Sequence, residues 1–278
     1  MTNKKIIINF CPTGMVPDKE MTPHVPVSVN EIVEQTHEAN DLGITIVHLH
    51  ARDGDGSPTW KKSIYRDIFE GIRKHCPDLL ICGSTSGRLY NDFEKRSEVI
   101  ELGPDMCSLT LSSLNFSNQA SVNHPEMIQK LLQKMNEFGV NPELECFGLG
   151  MINYGCYLKK KKILTSPNYW NLLFGNIAGF QATFSQIGAA INEIPKDDFF
   201  ALGGLGNEQL PVCASAIAMG YGVRIGLEDN IWWDDKRTKM ASNYDLLNRI
   251  HHLMEIHDHR MMTAKEFGNK GFYNRKNG

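Results

Sequence analysis

Short β-branched runs alternate with longer stretches of helical period from one end of the chain to the other, the pattern of βα units feeding a parallel sheet. Eight such units can be counted. The runs predict strands over Lys5–Asn9, Thr45–His50, Leu79–Gly83, Met106–Leu109, Pro142–Cys146, Trp170–Phe174, Phe199–Leu202 and Gly222–Leu227. Between them, apolar residues spaced three and four apart predict helices over Val29–Leu42, Ile64–Lys74, Phe93–Leu102, Pro125–Phe138, Met151–Lys160, Phe184–Glu193 and Glu208–Met219, and an eighth over Asn243–Ile256. Eight repeats in about 250 residues match a (β/α)8 TIM barrel, whereas a doubly wound sheet more often has five to seven strands. No Pro/Gly/Ser-rich linker divides the chain, so one α/β domain over residues 1–278 is expected. A loosely held tail is expected from about residue 264, where Gly268, Gly271 and Gly278 lie among basic residues.

Composition narrows the function classes. With 278 residues, 41% hydrophobic and 22% charged, the chain has the make-up of a globular protein and not of a disordered or collagenous one. The 29 basic and 32 acidic residues give a net charge of -3, which leaves no electrostatic footprint for nucleic acid or an anionic membrane. Lys159 to Lys162 reads as a solvated helix end, and small molecules are the expected partners. Cys11, Cys76, Cys82, Cys107, Cys146, Cys156 and Cys213 are odd in number and contain no CxxC pair, which argues against a disulfide framework. The N-terminal residues carry too few apolar side chains for a signal peptide, and no run approaches the ~18 needed to span a bilayer. A cytoplasmic location is expected.

A barrel carries its chemistry at the C-terminal ends of its strands. The second strand reads Thr45-Ile46-Val47-His48-Leu49-His50, and period-two alternation puts His48 and His50 on the face of Ile44 and Ile46. A lone histidine there is more often a hydrogen-bonded core residue. Two on one face can reach one cation, and imidazole suits zinc better than magnesium or calcium. The last strand brings Arg224, Gly226 and Glu228 inward by the same parity, so Glu228 completes a two-His, one-carboxylate set with open positions for water or substrate. Asp229, with Arg224 in reach, is a candidate general base. Ser84 in a hydroxyl-rich turn, Ser108, Thr110 and the pair Glu143 and Glu145 make the mouth polar, although hydroxyls at strand ends are more often turn formers. Gly203-Gly204-Leu205-Gly206 before a helix reads equally as an anion-binding turn and as a sharp bend.

Several segments carry a resemblance: Cys11-Pro12-Thr13-Gly14-Met15-Val16-Pro17, Thr22-Pro23-His24-Val25-Pro26, Val47-His48-Leu49-His50-Ala51-Arg52-Asp53, Ser84-Thr85-Ser86-Gly87, Phe93-Glu94-Lys95-Arg96, Ser113-Leu114-Asn115-Phe116, Pro142-Glu143-Leu144-Glu145 and Gly226-Leu227-Glu228-Asp229-Asn230. Together they resemble the β-keto acid cleavage enzymes, among them one that cleaves 3-keto-5-aminohexanoate, from about residue 5 to 265. The resemblance implies a zinc-dependent (β/α)8 barrel, usually a homotetramer, with zinc on His48, His50 and Glu228. It implies deprotonation of the keto acid by Asp229 with Arg224, and binding of its acid end by Ser84, Ser108 and Thr110; Glu145 is counted with this substrate-binding set. The implied reaction consumes acetyl-CoA and releases acetoacetate and a new acyl-CoA.

Three positions depart from the family pattern. Met15 and Val16 stand where the aminohexanoate enzyme has a glutamate for its substrate's ammonium, which disfavours a cationic substrate and leaves a neutral or apolar keto acid expected. Gly148 and Asn207 replace an acidic and a basic residue of many relatives. Two rival readings remain. A metal-dependent hydrolase of the amidohydrolase type also uses an HxH strand, but that strand is its first, and its further metal histidines come from later strands. A non-catalytic barrel would bind a keto acid as a sensor or inactive subunit.

Overall fold

The computed structural model describes residues 3–165 and 167–276, and their strands close into an eight-stranded parallel barrel. The barrel strands are β1 (Ile8–Phe10), β2 (Ile46–Leu49), β3 (Leu80–Gly83), β4 (Met106–Thr110), β5 (Asn141–Cys146), β6 (Tyr169–Phe174), β7 (Phe199–Gly204) and β8 (Gly222–Ile225). They pair in chain order, and β8 closes on β1 with Arg224 opposite Asn9. The helices that follow the barrel strands are α1 (Val29–Leu42), α2 (Lys62–His75), α3 (Phe93–Ser97), α4 (Pro125–Phe138), α5 (Leu149–Lys160), α6 (Phe184–Asn192), α7 (Gln209–Met219) and α8 (Asn243–Ile256), and a short α9 (Ala264–Phe267) comes after them. This is the (β/α)8 architecture that the repeat pattern predicts.

Local chemistry sets the boundaries. Ser28 and Glu31 form a reciprocal capping box at the start of α1, and Ser242 and Asp245 do the same for α8. Tyr65, Ile68, Phe69 and Ile72 form the buried stripe of α2, which packs against α1. Strand β8 ends at Ile225, two residues short of expectation. Gly226 adopts φ +152, and a Cβ there would lie 2.0 Å from the Cys11 carbonyl oxygen, so the chain turns away into the mouth. The expected first strand is split: Lys5–Ile6 pairs with Arg260–Met261 outside the barrel, and Ile8–Phe10 enters it.

Residues 264–276, expected to be loosely held, are packed instead. Phe267 and Phe272 stack with centroids 4.1 Å apart and are buried against Tyr169 and Phe199 below the barrel. Asn274 donates to the carbonyls of Gly103, Pro104 and Phe138. Burial of each ring stabilises by roughly 1.5–3 kcal/mol, which outweighs the glycines around them. Gly278 lies outside the described residues. Among those residues no helix is long and apolar enough to cross a membrane.

Candidate active site

His48 enters from β2 and His50 from just beyond it, and their Nε2 atoms lie 3.2 Å apart. Glu228, beyond β8, brings Oε1 to 3.3 Å from His50 Nε2 and Oε2 to 3.9 Å from His48 Nε2. A zinc ion with ligand bonds of about 2.1 Å in tetrahedral geometry holds its donors about 3.4 Å apart, so these spacings fit one ion. The protonation pattern agrees. His48 Nδ1 is 2.6 Å from Glu143 Oε2, a bond that takes the Nδ1 proton and leaves the Nε2 lone pair toward Glu228. Glu228 Oε2 is buried with no hydrogen-bond partner. Burial disfavours charge on His48, but Glu143 and Glu228 outweigh it and push its pKa up to about 9. The pocket between these acids therefore calls for a positive charge. His50, whose pKa burial lowers, is suited to binding a cation as a neutral ligand.

Arg224 organises the acids. Its Nε donates to Asp229 Oδ2 at 2.8 Å, its Nη2 lies 2.7 Å from Glu228 Oε1, and its Nη1 is 3.7 Å from Glu145 Oε1. Burial opposes charge on Glu228, yet Arg224 and both histidines hold its carboxyl well below the usual range. At Asp229 burial wins over Arg224, and with help from Glu228 it raises the pKa. Asp229 is thus more basic than an exposed carboxylate while being oriented by a guanidinium.

Asp229, Glu228, His50 and Arg224 share a cavity of about 350 Å³ with Ser84, Thr110 and Glu145. Ser84 accepts from the Ser86 N–H, which leaves its own proton for a ligand. Thr110 instead directs its proton to Glu145 Oε2 at 2.7 Å. Ser108 is set apart from the cavity wall: its hydroxyl accepts from the Thr85 N–H and its carbonyl accepts from the Thr85 hydroxyl, so it shapes the turn that carries Ser84. In the glycine-rich segment after β7, Gly204 packs against the Glu208 carbonyl and the Gly206 N–H donates to the Asp229 carbonyl, the behaviour of a tight bend. Gly14 has φ +70, and a Cβ there would sit 2.4 Å from Glu228 Cγ, so glycine lets the first loop cross directly over the Glu228 side chain. Met15 and Val16 beside it line the cavity.

Some contributors escaped the sequence reading. Glu143 is fully buried and accepts from Asn9 Nδ2 at 2.5 Å, Asn171 Nδ2 at 3.1 Å and Cys82 Sγ at 3.2 Å besides holding His48. Its parity with Glu145 was legible, but its orienting position was not. Arg88, whose guanidinium lies 3.6 Å over the Phe116 ring, also lines the cavity. The later histidines that an amidohydrolase pattern requires are elsewhere: His251 bonds the Gly43 carbonyl, and among the described residues the candidate metal groups contain no histidine except His48 and His50.

Comparison with known proteins identifies the family of the chain. The model of the β-keto acid cleavage enzyme family matches residues 5–269. The chain is 34% identical to the 3-keto-5-aminohexanoate cleavage enzyme of Acetoanaerobium sticklandii, over 95% of this chain and 93% of that one. It is 31% identical to the 3-oxoadipate:acetyl-CoA acetyltransferase of Cupriavidus necator, over 94% and 92% of the two chains. The solved apo structure of ObcA superposes with a TM-score of 0.79 at 17% identity, a likeness of fold covering 91% of this chain and 66% of that one, so this chain spans about two thirds of ObcA's length. On the match over nearly its whole length, the chain belongs to the β-keto acid cleavage enzyme family.

Proposed function

We propose that this protein transfers the acyl part of a β-keto acid onto the CoA of acetyl-CoA, releasing acetoacetate. The observation that carries the reading is that an arginine-oriented acid, Asp229, lines the same cavity as His50 and Glu228, which His48 joins in one candidate cation-holding group. The CoA co-substrate is supported by the printed activity of the Cupriavidus necator relative. Asp229 takes a proton from the carbon between the keto and acid groups. The carbanion attacks the acetyl-CoA carbonyl, and the CoA thiolate leaves that carbon and adds to the original keto carbon within the adduct. Cleavage of the adjoining carbon–carbon bond releases the new acyl-CoA and the acetoacetate carbanion, which takes the proton back from Asp229. Zinc held by His48, His50 and Glu228 supplies Lewis-acid stabilisation of the enolate oxygen when bound. Ser84 donates to the substrate's acid end, Glu145 with Thr110 forms the polar wall beside it, and Glu143 fixes the ring of His48.

The reading extends to a cytoplasmic homotetramer, for which the largely exposed Ile177 and Phe184 offer apolar contact surface. Elemental analysis and a mass-spectrometric scan of acyl-CoA products from a pool of β-keto acids test the whole. Stoichiometric zinc and acetoacetate formed only with both substrates are expected. Products formed without CoA point to the hydrolase, and ligand binding without turnover to the sensor.

A further inference from the structure

Four arginines surround the mouth, and three of them are held by protein partners, although Arg52 Nε and Arg224 Nη1 make no hydrogen bond. Arg52 donates to the carbonyls of Gly14, Pro17 and Gly56 and so pins the first loop. Arg96 donates to the carbonyls of Thr85 and Val122 and to Asn123 Oδ1. Arg224 holds Asp229 and Glu228. Arg88 differs. Its guanidinium covers one face of Phe116 and borders the cavity, yet among the described residues it has no hydrogen bond or ion pair. Phe116 occupies the flat face of the group, so the N–H edges are left for a partner inside the cavity.

The surroundings say what that partner is. Arg88 stands four residues beyond Ser84 on the loop after β3, above the strand ends that carry the metal set. Phe116 lies against it, and the cavity lining combines Phe116, Leu114, Leu205 and Phe147 with the hydroxyls of Ser86, Ser117 and Ser121. A saturated substrate chain fits those apolar side chains, but closing it over Arg88 leaves a desolvated cation with no directly bonded counter-charge, since Glu228, Glu145 and Asp229 act on it only at a distance. A carboxylate at the end of the chain satisfies both. Phosphates of CoA fit less well, because the pantetheine arm places them well outside a cavity of about 350 Å³ that already encloses the reacting groups.

We infer that Arg88 binds a second, distal carboxylate, which makes the preferred substrates β-keto dicarboxylates. This replaces the neutral keto acid expected from Met15 and Val16 alone, and it adds like-charge repulsion against a distal ammonium. The inference rests on the acyl-transfer reading above, so its test has one arm that needs no turnover. In calorimetry, the zinc-loaded protein binds glutarate at least about tenfold more tightly than butyrate, and Arg88→Gln closes that gap. In turnover, kcat/KM for a β-keto acid ending in carboxylate exceeds that for an alkyl-ended one. Arg88→Gln lowers the ratio of the two by about 100-fold, and Arg88→Lys restores part of it. An equal loss on both acids shows that Arg88 holds the reacting carboxylate and overturns the inference. So does a KM increase for acetyl-CoA that is absent with acetylpantetheine, or a ratio that does not change. Absence of any thioester-dependent product defeats the acyl-transfer reading alone, and the glutarate comparison still decides the role of Arg88.

Discussion

Along a single set of inward positions, the two ends of the barrel differ completely. Near the strand N-termini the interior is Ile46, Leu80, Met106 and Tyr169, capped from below by Phe267 and Phe272. Two residues farther along the same strands, about 6.6 Å higher, the side chains are His48, Cys82, Ser108 and Asn171, and Glu143 and Arg224 join them. Both layers are buried. The lower one is held by dispersion and exclusion of water, whereas the upper one depends on every charge meeting a partner. The aromatic plug beneath keeps water from reaching the buried acids from below.

That contrast can be broken in measurable ways. The largest effect is expected from Asp229→Asn, which removes the base and lowers kcat by about 10³-fold or more with zinc content intact. Loss of zinc in that variant, measured by elemental analysis, would instead give Asp229 a role in holding the metal. Next, Phe267→Ala should cost about 3–5 kcal/mol in denaturant unfolding, because its cavity opens in the packed layer. Zinc affinity measured on the folded variant should stay near that of the parent if the layers are independent. Glu143→Gln should weaken zinc binding by about 10–100-fold, since it loosens the hold on His48 without removing a ligand. The smallest effect is at the rim, where Glu31 caps α1 and pairs with Lys19 at 2.6 Å. Burial opposes its charge, but Lys19 and the Ser28 and Val27 N–H groups lower its pKa to about 2. Its folded-state value is depressed, so its contribution is full above about pH 4.5 and is lost as pH falls toward 2. Glu31→Gln should flatten that acid limb by no more than about 1 kcal/mol, since the pair is exposed and screened.

The amino-acid pattern reveals which way a side chain points more readily than what it meets. Period-two alternation brings His48, His50, Arg224 and Glu228 to one interior, and the structure places them together. Alternation says nothing about rotamers, which is why Ser108 could be placed inward yet turns out to bond Thr85 below the cavity wall. Arg88 was hidden for a related reason: it lies on a loop, where no period constrains direction. The tail was misjudged because its glycines and lysines dominate the composition, while only two rings, Phe267 and Phe272, determine its docking.

Gly14 divides the first loop into a portion that is closed to change and a portion that is open. The carboxylate stem of Glu228 fills the volume any other residue would need at this point, whereas the next two side chains line the ligand space. A lineage can therefore trade Met15 and Val16 to accept new acids without disturbing the cation cradle, and a redesign library aimed at this pair would explore specificity while sparing the chemistry.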